Sequence, residues 1–219
     1  MSGPHRYLLH GYWRSSATYR VRIGLQLKGL AYEIAPVNLL EGQHKADAHA
    51  ARNPMRQVPV LEVEDGGVHE LAQSLAILEY LEERHPEPPL LPRDRVGRAR
   101  ARQLFEIVAS GIQPLQNLTV TKRLDALGVD SKAWSVELIG EGLAAYDVLA
   151  SKTAGRYSYG DAPGLADCAL VPQLYNARRF GIDVGARFPL LARIDAACAE
   201  LDAFRAAHPD RQPDAPRGA

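Results

Sequence analysis

The sequence predicts an α/β domain with the element order βαβαββα, followed by an all-helical domain. Three observations carry that prediction. The first part of the chain alternates short apolar runs with helix-like segments, the stretch Glu87-Pro88-Pro89-Leu90-Leu91-Pro92 interrupts every periodicity, and only helical patterns follow it. The division expected is therefore residues 1–87 and residues 88–219.

Residues 7–12 are a compact apolar run. Ser15-Ser16 opens a helical stretch to Leu27, and Lys28-Gly29 stops it, glycine being the common residue just past a helix end. Residues 32–37 read as a second strand and 43–52 as a polar, short-helical region. Residues 57–63 form a third strand, Asp65-Gly66-Gly67 its turn, and 68–71 the returning strand. Ser74 reads as the N-cap of a helix whose two faces are marked by Leu75, Leu78, Leu81 and Glu82, and His85-Pro86 ends it. Beyond the linker the helical windows are 94–120, 131–152, 165–181 and 189–207. The tail from Pro209 to Pro216 is too polar and proline-rich to extend the last of them.

Composition narrows the functional classes. The 219 residues are 46% hydrophobic and 24% charged, an ordinary globular balance, and 26 Lys plus Arg offset 26 Asp plus Glu. With no net charge, no global field draws the chain to nucleic acid or to an anionic membrane, so any anion must be held by locally placed arginines. The N-terminus lacks a cationic and apolar leader, and no window approaches the roughly 18 apolar residues of a membrane span, so a cytosolic location is expected. Cys168 and Cys198 have neither the CxxC nor the Cys/His spacing of a metal or redox site; they read as core-filling side chains, and no metal is expected.

Three segments are candidates for chemistry. Ser15 and Ser16 lie between an apolar strand and a helix start, where backbone N–H groups and a hydroxyl converge on one anion. They serve equally as a plain cap worth about 1 kcal/mol. If one hydroxyl instead donates to a thiolate, the helix terminus adds about 0.3–2 kcal/mol, at most about 1.4 pKa units. A direct hydroxyl donor must therefore contribute for a thiol to ionise at neutral pH. Val58-Pro59 places a residue without an N–H at a strand start; a cis bond there would open the backbone of Val58 to a peptide lying alongside. Gln73-Ser74, at the next helix start, offers N–H groups, an amide and a hydroxyl to a carboxylate, or again only a cap. Their joint order within one βαβαββα unit would suit a ligand that carries a thiolate, a peptide backbone and a carboxylate.

The segment from Arg14 to Ile23, Arg14-Ser15-Ser16-Ala17-Thr18-Tyr19-Arg20-Val21-Arg22-Ile23, resembles the SSCxxRVRIA motif of zeta-class glutathione transferases. Asn53-Pro54-Met55-Arg56-Gln57-Val58-Pro59, residues 73–83, 111–118 and 166–173, and His208-Pro209-Asp210-Arg211-Gln212-Pro213-Asp214 are similar to the same class, in family order. The resemblance implies a thioredoxin-like N-terminal domain with Pro59 in cis, an all-α C-terminal domain, glutathione transferase architecture and a homodimer. It implies Ser15 as the thiolate-stabilising hydroxyl with Ser16 second. Gln73 and Ser74 would take the γ-glutamyl end of glutathione, Val58 its backbone, and His44, Gln113 and Asn117 the remainder. Arg179, helped by Arg14, would hold a substrate carboxylate, for which the planar guanidinium is suited. Arg20 and Arg22, two apart on one helix, cannot both face the site. Two departures stand out: Ala17 replaces the cysteine many members carry, removing any covalent role for a protein thiol, and Gly164 replaces the Ser or Thr that caps the Ala166-Asp167 helix with a box.

The reaction implied is cis-to-trans isomerisation of maleylacetoacetate to fumarylacetoacetate, in tyrosine and phenylalanine breakdown, with glutathione used and returned. A double bond does not rotate thermally, so a nucleophile must add to it and leave again. The alternatives are the same chemistry on maleylpyruvate, a transferase or dehalogenase acting on small α-halo acids, and a non-catalytic module of the same fold.

Overall fold

The structure, a computed structural model, describes residues 7–216. Residues 1–6, on which part of the leaderless N-terminal reading rests, lie outside the described residues. The described residues form two compact units, one from residues 7–89 with 202–216 and the other from residues 90–201. The sequence division at 87/88 leaves the last segment with the helical part, whereas its contacts group it with the first unit. A local reading of hydrophobic period carries no information about such a return.

The first unit follows the order β1 (Tyr7–Gly11), α1 (Ser16–Leu27), β2 (Glu33–Pro36), α2 (Asp47–Arg52), β3 (Val60–Glu64), β4 (Val68–Ala72) and α3 (Ser74–Arg84). The sheet order is β2-β1-β3-β4, with β1 parallel to β2 and the remaining pairs antiparallel. Parallel pairing of β1 and β2 needs a crossover, and α1 supplies it. Leu9, paired with Ile34 and Leu61, packs with Tyr7, Val21, Leu25, Leu61, Val63, Ile77 and Leu81 in one buried cluster. Each such aliphatic side chain contributes about 1.5–3 kcal/mol by leaving water. Gly29, at φ 65°, takes the left-handed position that ends α1, and Leu30 N–H donates to the Leu25 carbonyl. The buried Lys28 ammonium donates to Glu82 (2.8 Å) and to the carbonyls of His85 and Pro88, which fixes the end of α3.

The last helix of this unit, α10 (Asp202–Ala207), packs on α1. A short 3-10 turn, Pro209–Arg211, follows it.

The second unit contains α4 (Arg95–Glu106), α5 (Leu118–Ala126), α6 (Ser131–Ala150), α7 (Leu165–Arg179), α8 (Val184–Arg187) and α9 (Pro189–Ala199). The expected helix over 94–120 is broken. Past Glu106 it widens into a π-helical turn, Ile107–Ile112, and tightens into a 3-10 turn, Gln113–Gln116, around Pro114, which has no N–H to give. Asn117 then caps α5, its Oδ1 accepting from the N–H groups of Thr119 and Val120. Similarly, the window 189–207 divides into α9 and α10.

Gly164 has a steric explanation. A Cβ there would lie 2.7 Å from the Leu90 carbonyl oxygen, which accepts from Leu165 N–H at 2.7 Å. Asp167 supplies the other half of the expected box, accepting from Gly164 N–H and from Ser158 N–H at 2.9 Å each. Burial pushes its carboxyl pKa up, and those hydrogen bonds oppose the rise.

Candidate active site

Ser15 is the N-cap of α1, and its hydroxyl oxygen accepts from Thr18 N–H at 3.2 Å. A hydroxyl carries two acceptor lone pairs and one donor, so capping uses an acceptor and leaves the O–H to donate. The capping and chemical readings are therefore compatible. Ser16 and Ala17 occupy the first helical positions, whose N–H groups have no intrahelical acceptor. Residues 14–17 are half-buried, and the Arg14 guanidinium lies 5.3 Å from the Trp13 ring centroid.

The Val58-Pro59 peptide is cis. Val58 lies just before β3, whose pairing with both neighbours begins at Val60. Its side chain packs with Tyr12, Trp13 and Val37, which brings this loop against the turn that leads into Ser15. The preceding Gln57 carbonyl is gripped twice at 2.9 Å, by Asn53 Nδ2 and by the buried His49 ring.

At the third segment the helix start differs from the expectation. Gln73, not Ser74, is the N-cap of α3, and its side chain makes no capping bond. Gln73 sits at φ 69°, a conformation uncommon for a residue with a Cβ and one that ligand sites retain at a cost in strain. Ser74, buried at the first helical position, accepts from Arg20 Nη1 at 3.2 Å through Oγ. Capping thus accounts for neither side chain. The fully buried Arg20 guanidinium links α1 to the start of α3, while Arg22 donates to the carbonyls of Trp13 and Ala207 at 2.9 Å. The Ser15, Val58 and Ser74 segments are in this way tied together within the first unit.

His44 is half-buried on a 3-10 turn, Gln43–Lys45. In the second unit, Gln113 opens the 3-10 turn beside Pro114 and Asn117 caps α5. Capping occupies the Asn117 carbonyl oxygen and leaves its amide N–H groups. Gln116 and Gln173, both buried, exchange amide hydrogen bonds of 2.8 and 3.4 Å and so fix the turn that carries Gln113. Arg178 pairs with Asp195 at 2.7 Å, whereas the exposed Arg179 donates to Asn176 Oδ1 at 3.0 Å. The two neighbouring arginines, indistinguishable by residue type, are thereby separated.

Sequence reasoning missed Asn53, His49, Arg20 as a partner of Ser74, and Arg22 as a backbone clamp. The two basic residues of α1 carried a signal: charges on a helix flanked by strands have few buried roles other than gripping polar groups. Cys168 and Cys198 are buried, and burial drives the Cys198 thiol pKa upward, away from nucleophilic character. Among the described residues no group of three or more His, Cys, Asp or Glu is placed to hold a metal ion.

Residues 6–83 match the glutathione S-transferase N-terminal domain family. The chain is 49% identical to a maleylacetoacetate isomerase of Rhizobium meliloti (strain 1021), over 93% of this chain and 96% of that one. It is also 57% identical to a maleylacetoacetate isomerase from Anaeromyxobacter dehalogenans 2CP-1 whose crystal structure holds GSH in the active site (TM-score 0.91, covering 98% and 100% of the two chains). The chain belongs to the zeta-class glutathione transferase and maleylacetoacetate isomerase family. A holo structure of maleyl pyruvate isomerase, a bacterial zeta-class enzyme, is likewise similar to this family member at 45% identity and a TM-score of 0.89, covering 95% and 100% of the chains. Within the first unit, residues 6–83 are the glutathione S-transferase N-terminal domain with its mixed four-stranded sheet, and helices make up the second unit.

Proposed function

We propose that the protein is a glutathione-dependent cis-trans isomerase that converts maleylacetoacetate to fumarylacetoacetate. The observation that carries the reading is the Ser15 hydroxyl, which caps α1 with a lone pair and keeps its O–H for an anion at the helix terminus. The names of the similar relatives support the substrate.

The donor set fits the tripeptide. Glutathione presents a thiol, a peptide backbone and a γ-glutamyl carboxylate, and the first unit offers a hydroxyl with helix N–H groups at Ser15–Ser16. It also offers Val58 outside the strand ladder, and Ser74 backed by a buried guanidinium. The chemistry that glutathione supplies when bound is reversible addition of its thiolate to the cis alkene, which frees that bond to rotate.

The protein's own residues do the rest. Ser15 donates a hydrogen bond to the sulfur, Ser16 standing second, and the α1 terminus adds its dipole. Ser74 and Gln73 bind the γ-glutamyl carboxylate, and Arg20 orients the Ser74 hydroxyl so that its O–H points away from the guanidinium. Val58 pairs with the tripeptide backbone beside Pro59, and His44, Gln113 and Asn117 are assigned to its remaining polar groups. Arg179 and Arg14 are assigned to the substrate carboxylate. Ala17 costs nothing in this scheme, because the sulfur that reacts is not the protein's. The protein acts as a cytosolic homodimer in aromatic amino acid breakdown.

The test is a stoichiometry. Purified enzyme given maleylacetoacetate and a trace of glutathione should complete the conversion with the glutathione recovered unchanged, and remain inactive without it. Consumption of one glutathione per product would instead indicate a conjugating transferase, and halide release from a small α-halo acid without turnover of maleylacetoacetate a dehalogenating one. Maleylpyruvate is a second reading, favoured by the similarity to maleyl pyruvate isomerase. Faster turnover of the shorter keto acid would select it.

A further inference from the structure

The turn that carries Ser15 is held from outside by the end of the chain. Trp13 N–H donates to Asp214 Oδ2 at 2.9 Å, across 201 residues of sequence. The carbonyl of that same peptide unit, on Tyr12, accepts from Ser15 N–H at 3.0 Å. The next carbonyl, on Trp13, accepts from the buried Arg22 Nη2 at 2.9 Å. Two consecutive peptide planes before Ser15 are therefore fixed, and one of them is gripped at both ends.

The segment that delivers Asp214 is itself built. Arg22 Nε donates to the Ala207 carbonyl at 2.9 Å, where the segment leaves α10. Gln212 Nε2 donates to the carbonyls of Ala206 and His208, folding the segment onto its own root, and the His208 ring meets Tyr19 edge-on. Ala215 packs against the buried cluster formed by Tyr12, Trp13, Val37 and Val58. One short strap thus holds the turn before Ser15 through Trp13 and packs on the cluster that Val58 shares with that turn.

We infer that this C-terminal strap positions the reactive turn, with Asp214 and Arg22 as positioning residues that set where the Ser15 hydroxyl stands relative to the glutathione sulfur. The inference rests on the role proposed above for Ser15. A hydroxyl stabilises a thiolate only within a narrow range of distance and angle, so a turn released on one side loses part of that stabilisation while the fold persists. Asp214 is half-buried and ends no core packing, which makes it the residue to change.

The experiment compares the full-length protein with Asp214→Ala and Asp214→Asn. It measures amide exchange at Trp13, the ultraviolet thiolate titration of bound glutathione, kcat, the glutathione KM and the thermal midpoint. Asp214→Ala is expected to speed Trp13 exchange and to raise the pKa of the bound thiol by about one unit. It should lower kcat about tenfold, the scale of one hydrogen bond to a charged group. Asp214→Asn, which keeps an acceptor oxygen, should return to within about threefold of wild type. Wild-type thiol titration and turnover in Asp214→Ala, or losses that track the thermal midpoint alone, would overturn the inference. Ser15→Ala separates this from the reading beneath it. If that variant titrates and turns over like wild type, the thiolate role of Ser15 falls, whereas faster Trp13 exchange with unaltered chemistry in Asp214→Ala refutes the strap alone.

Discussion

Capping and catalysis at Ser15 come apart in a set of substitutions at that position. Alanine removes the acceptor of Thr18 N–H, a bond of 3.2 Å, and should cost about 1 kcal/mol of stability, or roughly 2–4 °C in Tm for a chain of this size. It also removes the donor, for which a turnover loss of about 10²–10³, or about 2.7–4 kcal/mol in the barrier, is expected. Aspartate caps as well as serine and gains from the α1 dipole, so Ser15→Asp should hold stability within about 0.5 kcal/mol of wild type. At neutral pH it has no proton to donate and sets a negative charge where the thiolate would be, so its turnover should match or fall below that of Ser15→Ala. Thermal melts and isomerase assays at saturating glutathione, on the same preparations, give both axes. Ser15→Asp turning over within tenfold of wild type would refute the donor role, as would an alanine variant whose turnover loss is no larger than its stability loss.

Other predictions follow from contacts of the same kind. Arg20→Met removes the guanidinium behind Ser74 and should raise the glutathione KM about tenfold or more with a smaller change in kcat, read by steady-state kinetics at varied glutathione. Gly164→Ser brings a Cβ to 2.7 Å from the Leu90 oxygen and should destabilise the protein by about 1–3 kcal/mol in denaturant melts, even though serine is the better cap. His10 gives an acid limb. Burial first, and Arg52 second, hold its pKa below 6.5 in the folded protein, against the pull of Glu62. Above pH 6.5 neither state binds the proton and the contribution is whole. Below 6.5 the unfolded chain takes up a proton the folded one refuses, so stability falls as pH drops towards the folded value, by at most about 1.4 kcal/mol per pH unit. His10→Gln should flatten that limb in melts between pH 7 and 5.

What the sequence shows of this protein is set by range. The βαβαββα order was legible because its signals are local: Ser15 before an apolar helix, Gly29 after it, and Asp65-Gly66-Gly67 between two strands. The break of the 94–120 helix after Glu106, the 3-10 turn at Pro114 and the cap at Asn117 were local too, but a helical period of apolar residues runs through them and hides them. The three site segments were named from family likeness and order. What brings them together was not visible, because Arg20 reaches Ser74 across 54 residues and Arg22 reaches Ala207 across 185. Ser74 illustrates the difference in kind. By residue type it is a cap, and only the position of Arg20 shows that its hydroxyl is engaged otherwise.

The thiolate role of Ser15 depends on where the sulfur sits. A crystal structure of the active protein with glutathione should place the sulfur within hydrogen-bonding reach of Ser15 Oγ, at the first turn of α1. A sulfur directed away from residues 15 and 16, in crystals of an enzyme that still isomerises its substrate, would contradict it.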